Sequence, residues 1–266
     1  MTMAGDRDVA FITGAGSGMG QLCARRLLQQ GWSVAAVDID TAGLDQLGTS
    51  PQLLKLTCDV RDAGAVREAV TQAEARVGPV RRVVNAAAIM PLGRLVDMDA
   101  ATVRRLFDIN VGGLVNVAAA TMPLLIARRR GEFVSFASLS GHVPIFFMGA
   151  YAATKSAAVT YTEVLHQECR GSGVQVVCVC PPAVKTPLLA QGRATRWPRF
   201  LDLLPPITAP QVIDAVDAAL RRRRFWVFPG WYTRASVWAR RLSPGLLWAL
   251  VRLLERPDRR TAPTRS

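Results

Sequence analysis

The chain has 266 residues, of which 50% are apolar and 20% charged, and its 33 basic and 20 acidic residues give a formal net charge of +13. This apolar fraction excludes an intrinsically disordered chain, and 21 glycines without a period exclude a collagen-like one. We find no run of 18 or more uncharged apolar residues and no signal-peptide pattern. With five cysteines and no C-x-x-C pair, the sequence predicts reduced thiols and a cytoplasmic protein, peripheral to a membrane at most.

The charge is concentrated in the last quarter of the chain. Residues 193–266 hold 15 arginines against five acidic residues, and they also hold five of the six tryptophans. Residues 1–192 are nearly neutral. We therefore expect one domain over residues 1–232, with a mobile, proline-rich substrate loop at about 182–210, and a basic, aromatic, helical extension over residues 233–266.

Apolar strands alternate with helical segments along the first domain. The predicted strands are Val9–Thr13, Ser33–Asp38, Leu53–Thr57, Val80–Ala87, Glu132–Ser138, Val174–Cys180 and a last one within Phe225–Gly230. The predicted helices are one ending at Gln30, then Ala63–Val77, Ala101–Arg130, Tyr151–Arg170 and one ending in Arg221–Arg224. This alternation predicts an α/β fold, namely a Rossmann-type doubly wound parallel sheet with helices on both faces.

A glycine-rich turn, residues 13–20, follows the first strand and opens the first helix. Glycines allow a tight turn, and the helix N-terminus offers N–H groups to a pyrophosphate. The second strand ends in Asp38, whose carboxylate suits two ribose hydroxyls and would repel a 2′-phosphate. Asp59 follows the third strand, where it could meet an adenine amine. Since no arginine lies in the turn or directly after Asp38, we predict NAD as the cofactor, with an NADP-linked ketoreductase as the alternative.

The sequence resembles the short-chain dehydrogenase/reductase family from about residue 8 to residue 190. The glycine turn matches T-G-x-x-x-G-x-G, and Ser138 precedes the Y-x-x-x-K signature of Tyr151 and Lys155 by 13 residues. Asn110 matches the family asparagine, and residues 181–186 resemble P-G-x-V-x-T. The chain departs from the family pattern at Ala86, Ala88 and Pro182.

The resemblance implies an oxidoreductase acting on an alcohol or ketone, without a metal. It implies four catalytic residues, namely Asn110, Ser138, Tyr151 and Lys155. The predicted cofactor-binding residues are Gly14, Ser17, Gly18, Met19, Gly20, Asp38, Ile39, Asp59, Val60, Asn85, Ala86, Ala87, Tyr151, Lys155, Pro181, Val184 and Thr186.

The spacing of the signature supports acid–base chemistry. Tyr151 and Lys155 are four residues apart and share one helix face. A free tyrosine has a pKa of about 10, and a nearby ammonium favours the phenolate. Tyr151 is then expected to exchange the alcohol proton, and Ser138 to donate to the substrate oxygen. By resemblance, Asn110 holds a water molecule that links Lys155 to solvent.

Four bulky apolar residues, Ile145, Phe146, Phe147 and Met148, lie between Ser138 and Tyr151, where the family lines its substrate pocket. Because no cation is present there, we predict a lipophilic substrate. Packing of these side chains in the core or against another subunit is an equal alternative. For His142, packing is favoured over contact with substrate.

The extension predicts two short helices, the second at about Pro244–Glu255. The favoured interpretation is that the apolar stripe of this extension packs over the substrate cleft or forms a subunit interface. The alternative is that the stripe contacts a membrane surface peripherally. A non-catalytic protein that binds a membrane or nucleic acid is a further alternative, although no nucleic-acid recognition motif is present. The family resemblance further implies a homotetramer or homodimer.

Overall fold

The protein was analysed as a computed structural model that describes residues 7–205 and 207–255. Seven parallel strands form one sheet in the order β3-β2-β1-β4-β5-β6-β7. The strands are β1 Val9–Thr13, β2 Ser33–Asp38, β3 Leu53–Thr57, β4 Val80–Asn85, β5 Gly131–Phe136, β6 Val174–Val179 and β7 Trp226–Val227. The strand order reverses between β1 and β4, as in a doubly wound sheet, which confirms the predicted fold.

Helices connect the strands and cover both faces of the sheet. They are α1 Gly18–Gln29, α2 Thr41–Asp45, α3 Ala63–Arg76, α4 Ala100–Phe107, α5 Gly113–Ala127, α6 Gly149–Glu168, α7 Pro187–Arg193, α8 Ala209–Arg221, α9 Trp231–Leu242 and α10 Pro244–Leu254. A π-helical turn, Asp108–Gly112, joins α4 to α5, and short 3₁₀ helices occupy Leu139–Gly141 and Arg199–Leu203.

The core has two layers because side chains alternate across each strand. In β1, Val9 and Phe11 point into the layer that contains α3 and α5. Ala10 and Ile12 point into the opposite layer, which contains α1 and α8. All four side chains are fully buried. A strand buried on both faces is a continuous apolar run, so these strands can be predicted from the sequence.

Three sequence expectations need correction. The helix predicted at Ala101–Arg130 is interrupted by the π-helical turn that contains Asn110. The short helix α2 was missed; it begins after Asp40, whose side chain accepts from the Gly43 N–H. The segment at 182–210 is not wholly irregular, since it contains α7 and a 3₁₀ helix.

By length and composition alone, the helical segment made up of α4, the π-helical turn and α5 is apolar enough to cross a membrane. However, 44% of its apolar window is buried within the chain. Leu114, Val117 and Leu125 are among its buried residues, and they belong to the core layer beneath the sheet. We therefore describe this segment as a core helix.

Candidate active site

Two adjoining cavities lie at the carboxyl ends of the strands, beside β1 and β4, where the strand order reverses. The first has a volume of about 260 Å³ and is lined by the glycine turn and Asp38. The second has a volume of about 300 Å³ and is lined by Ser138, Tyr151 and Lys155. Met19 and Thr186 line both, so the two cavities form one continuous site.

The glycine turn requires glycine at defined positions. Gly14 has a φ of +68°, and a Cβ there would lie 2.7 Å from the backbone nitrogen of Ala87. A Cβ at Gly20 would lie 2.2 Å from the Gly14 carbonyl oxygen, so glycine lets α1 approach β1 closely. Ser17 precedes α1 without forming a side-chain capping hydrogen bond. The start of α1 therefore presents backbone N–H groups where a phosphate fits.

Asp38 is tied to the glycine turn. One carboxylate oxygen accepts from the Gly16 N–H at 2.8 Å, and the other accepts from the Asp40 N–H at 3.0 Å. A carboxylate has about four acceptor positions, so about two remain for ribose hydroxyls. These features fit a nicotinamide dinucleotide, with its pyrophosphate at α1 and a ribose at Asp38.

Asp59 lies at the far end of the same cavity. Its carboxylate forms an ion pair with Arg61, and this hydrogen bond lowers the pKa of Asp59. Arg61 and Arg105 also line the cavity, two cations that the sequence analysis did not assign to it. The ion pair with Asp59 neutralises much of the Arg61 charge.

The structure brings most of the predicted cofactor residues together. The glycine-turn cavity is lined by Gly14, Ser17, Gly18, Met19, Gly20, Asp38, Ile39, Asp59, Val60, Ala86, Ala87 and Thr186. The second cavity is lined by Tyr151, Lys155, Pro181 and Val184. Asn85 lines neither cavity, because its side chain is buried and accepts from the Thr13 hydroxyl at 3.1 Å.

Tyr151 and Lys155 lie on the buried face of α6, one turn apart. The Lys155 ammonium nitrogen lies 5.8 Å from the centre of the Tyr151 ring and donates to the Phe136 carbonyl at 2.8 Å. Ser138 follows β5, the strand that ends at Phe136, so the strand end positions both the hydroxyl and the lysine.

Burial dominates the acid–base properties of this pair. It raises the pKa of Tyr151 to about 12, although the neighbouring Ser138 hydroxyl lowers it in part. Burial also lowers the pKa of Lys155 to about 8. The sequence predicts that the Lys155 ammonium lowers the pKa of Tyr151; in the structure the pKa is raised instead, and burial of the phenol is the main cause. Tyr151 is therefore protonated at neutral pH.

Asn110 lies in the π-helical turn and is buried. Its side-chain oxygen accepts from the Ile89 N–H at 2.9 Å, and its amide donates to the Ile89 carbonyl at 3.0 Å and to the Thr154 hydroxyl at 3.1 Å. The side chain therefore fastens the segment after β4 to α6, which carries Tyr151. The water-holding role implied by the resemblance stays a prediction.

Ser140 is a polar residue of the site that the sequence analysis did not assign. Its hydroxyl lies 2.9 Å from the Ser138 hydroxyl oxygen, and its N–H donates to the same oxygen at 3.1 Å. It is buried, and it also lines the second cavity. The signal available in the sequence was the Ser-x-Ser spacing.

The four bulky residues expected in the substrate pocket divide into two pairs. Ile145 and Met148 line the second cavity. Phe146 and Phe147 do not: Phe146 contacts Trp248 of α10, with ring centres 5.4 Å apart, and Arg196 stacks over Phe147 at 4.5 Å. Phe147 has a φ of +65°, a conformation that turns the chain at this point.

His142 packs behind the cavity, as favoured from the sequence. Its Nε2 lies 3.6 Å from the Cys180 sulfur, and its ring contacts those of Trp226 and Phe228. Burial lowers the pKa of His142, so the imidazole is held in its neutral form.

Distant segments complete the apolar wall of the second cavity. The segment that follows β6 contributes Leu188, Leu189, Trp197, Phe200, Leu201 and Leu204, and α10 contributes Leu247, Leu250, Val251 and Leu254. Part of the extension thus lies over the second cavity. Among the described residues that line this cavity, Lys155 is the single charged side chain.

The comparisons with known proteins agree with this geometry. A family model described as short chain dehydrogenase matches residues 8–197. The chain is 34% identical to 2-(S)-hydroxypropyl-CoM dehydrogenase 3 of Xanthobacter autotrophicus over 69% of its own length and 74% of that relative. It is 31% identical to 2,3-dihydro-2,3-dihydroxybenzoate dehydrogenase of Bacillus subtilis over 67% and 70% of the two chains. The chain therefore belongs to the short-chain dehydrogenase/reductase family and is an oxidoreductase of that family.

Solved structures extend the similarity to most of the chain. A short-chain dehydrogenase/reductase from Burkholderia phymatum in complex with NAD has a TM-score of 0.82 and 25% identity, covering 92% of this chain and 96% of its own. A short-chain dehydrogenase from Sphingobium yanoikuyae in complex with NADPH has a TM-score of 0.75 and 26% identity, covering 97% and 99%. The fold thus binds a nicotinamide cofactor, and these similar structures contain NAD in one case and NADPH in the other.

Proposed function

We propose that this chain is an NAD(H)-dependent oxidoreductase that interconverts a secondary alcohol and a ketone, or an alcohol and an aldehyde, on a lipophilic substrate. The observation that carries the proposal is the position of Tyr151 and Ser138 in the wall of an apolar cavity that adjoins the glycine-turn cavity. A reacting carbon and a nicotinamide would meet where the two cavities join.

When bound, the nicotinamide supplies or accepts the hydride at the substrate carbon. Tyr151 gives its phenolic proton to the carbonyl oxygen during reduction, or takes the hydroxyl proton during oxidation. Ser138 donates a hydrogen bond to that oxygen as negative charge develops on it. Lys155 lies beside the phenol and would hold the ribose of a bound nicotinamide nucleotide.

Asp38 supports NAD over NADP. Its two bonds to backbone N–H groups fix the carboxylate in the cavity, with acceptor positions left for two ribose hydroxyls. A 2′-phosphate at the same place would meet a fixed negative charge. The alternative is an NADP(H)-linked ketoreductase, for which Arg61 and Arg105 would have to bind the phosphate.

The lining of the second cavity supports a lipophilic substrate. Apolar side chains from several separate segments enclose it, and the lysine assigned to the cofactor is the single charge among the described lining residues. A carboxylate or phosphate on the substrate would have no cation to pair with, apart from that lysine.

We further propose a homodimer or homotetramer in the cytoplasm. Val115 and Ile126 of α5 and Val164 of α6 are exposed apolar residues that support an interface between copies. Val117 and Ala118 of α5 are buried in the core of the chain and are therefore not part of that exposed face.

Turnover by the purified protein tests the enzyme assignment. We expect NAD reduction with alcohols of graded chain length, and loss of nearly all turnover in Tyr151→Phe, because phenylalanine has no proton to exchange. Tyr161→Phe is the matched control, since Tyr161 is on the same helix but does not line the cavity. If Tyr151→Phe kept most of the wild-type kcat, the mechanism would be wrong.

A further inference from the structure

An apolar surface covers the outside of α9 and α10. It comprises Trp231, Trp238, Leu242, Leu246, Leu250, Leu253 and Leu254, which are between 42% and 83% exposed. We refer to these residues as the outer surface. On α9, the spacing of Trp231, Trp238 and Leu242 places them on one side of the helix. On α10, Leu246, Leu250 and Leu253 share one side in the same way.

The inner side of α10 is also apolar. Leu247 and Val251 point into the substrate cavity, and Arg252 is the only charged residue in the 11 residues of α10. A helix that is apolar all round is normally enclosed by protein or lipid. Here its outer side faces solvent, and no segment within residues 7–205 and 207–255 covers it.

The charge around the outer surface indicates which occupant it is. Along α9 and α10, from Trp231 to Leu254, the sequence holds four arginines and no acidic residue. Arg234, Arg241 and Arg252 are exposed on α9 and α10 themselves. Tryptophan and leucine flanked by arginine suit the interface of an anionic bilayer, where the rings lie at headgroup level and guanidinium groups meet phosphates.

A second copy of the chain fits less well. A symmetric interface through this surface would bring the arginines of one copy against those of the other, without acidic partners in this segment. Spanning is excluded by length, because an 11-residue helix is about 16 Å long and a bilayer core is about 30 Å thick. The two helices would lie in the plane of the interface.

The outer surface is continuous with the substrate cavity. Leu250 and Leu254 are 50% and 42% exposed, yet both also line the cavity. A lipophilic molecule dissolved in the bilayer would therefore reach the cavity wall without crossing water. We propose that α9 and α10 dock the enzyme on an anionic membrane surface, from which its substrate enters. The substrate part of this inference rests on the proposed function.

Co-sedimentation with vesicles tests the docking on the full chain, without substrate. We expect binding to vesicles of phosphatidylglycerol and phosphatidylcholine at low salt, weaker binding to phosphatidylcholine alone, and release by salt. The double variant Leu246→Asp, Leu253→Asp should bind at least tenfold more weakly. Neither leucine lines the cavity, so turnover of a soluble alcohol should not change. The matched control is Val96→Asp, an 80% exposed residue outside the extension, which should bind like wild type.

The charge contribution has its own pair of variants. Arg241→Gln with Arg252→Gln should reduce the preference for anionic vesicles. Arg67→Gln with Arg76→Gln removes the same charge from α3 and should leave the preference unchanged.

Three results would overturn the proposal. The first is that the wild-type chain does not bind vesicles. The second is that the leucine variant and the Val96 variant bind vesicles equally well. The third is that the wild-type chain does not bind vesicles and that the leucine variant forms a smaller assembly than wild type on gel filtration. The last would identify the outer surface as an interface between copies. Because binding is measured without turnover, a chain that binds vesicles but oxidises no alcohol would contradict the proposed function and leave the docking intact.

Discussion

The charge of Asp38 should decide between the two nicotinamide cofactors, and Asp38→Asn removes that charge while keeping the shape of the side chain. A 2′-phosphate bound where the ribose hydroxyls meet Asp38 would lie about 4 Å from the carboxylate. Two unit charges at that distance repel by about 4 kcal/mol at an effective dielectric constant of about 20, and by about 1 kcal/mol in water. Asp38 is partly exposed, so its effect should fall between these values.

These energies correspond to a discrimination of about 5-fold to 1000-fold, since about 1.4 kcal/mol is a factor of ten. We expect wild type to have the higher kcat/KM with NAD, and Asp38→Asn to reduce the NAD-to-NADP ratio at least about fivefold. The measurement is steady-state kinetics with both cofactors at fixed ionic strength.

Asp62→Asn provides a matched control for this substitution. The Asp62 side chain also accepts from two backbone N–H groups, those of Gly64 and Ala65, but it does not line the cofactor cavity. Its variant should have an unchanged cofactor ratio. A wild-type preference for NADP, or an unchanged ratio in Asp38→Asn, would refute the reasoning.

Two further predictions concern the catalytic hydroxyls. Ser140→Ala should lower kcat about two- to tenfold with little change in KM, because one hydrogen bond that orients Ser138 is lost. Ser140→Thr keeps a hydroxyl and should retain most of the wild-type kcat. A change confined to KM would contradict a positioning role for Ser140. The raised pKa of Tyr151 keeps the proton on the phenol at neutral pH, and the proposed reduction transfers that proton to the carbonyl oxygen. The kcat/KM for ketone reduction, measured as a function of pH, should therefore stay level through neutral pH and fall only under alkaline conditions. A decrease in kcat/KM with rising pH and an apparent pKa below 7 would contradict a protonated Tyr151 at neutral pH.

The strands and the cofactor site were predictable because both depend on short stretches of sequence. Buried parallel strands are apolar runs ended by glycine, proline or a polar residue, so their predicted ends lie within about two residues of the observed ones. Likewise, the positions of Gly14 and Asp38 follow from the strands that precede them, because carboxyl ends of parallel strands meet at one edge.

The substrate side depends on contacts between distant segments, which the sequence does not display. Phe146 and Phe147 lie in the predicted pocket segment, yet the positive φ of Phe147 turns them away from the cavity. That conformation is held by a hydrogen bond from the Gly93 N–H to the Phe147 carbonyl, across more than 50 residues of chain. The same limitation applies to Ser140, whose role depends on a 3₁₀ turn after β5.

The attachment of α10 to the cavity leads to a final prediction about Glu255. This buried residue follows α10, and its carboxylate accepts from the Phe200 N–H at 3.2 Å. Phe200 belongs to the 3₁₀ helix that lines the cavity opposite α10. The hydrogen bond therefore fastens the two segments that close the apolar wall.

Glu255→Ala would leave the Phe200 N–H without its partner, at a cost of about 1–3 kcal/mol if no water replaces it. We expect α10 to detach more often, which should raise the KM of a long-chain alcohol several-fold. The KM of a short alcohol, which does not reach α10, and the kcat with either substrate should change little. Glu255→Gln keeps an acceptor oxygen and should retain most of the wild-type KM. If Glu255→Ala raised both KM values equally, the loss would be a general one, and α10 would not be a specific part of the substrate wall.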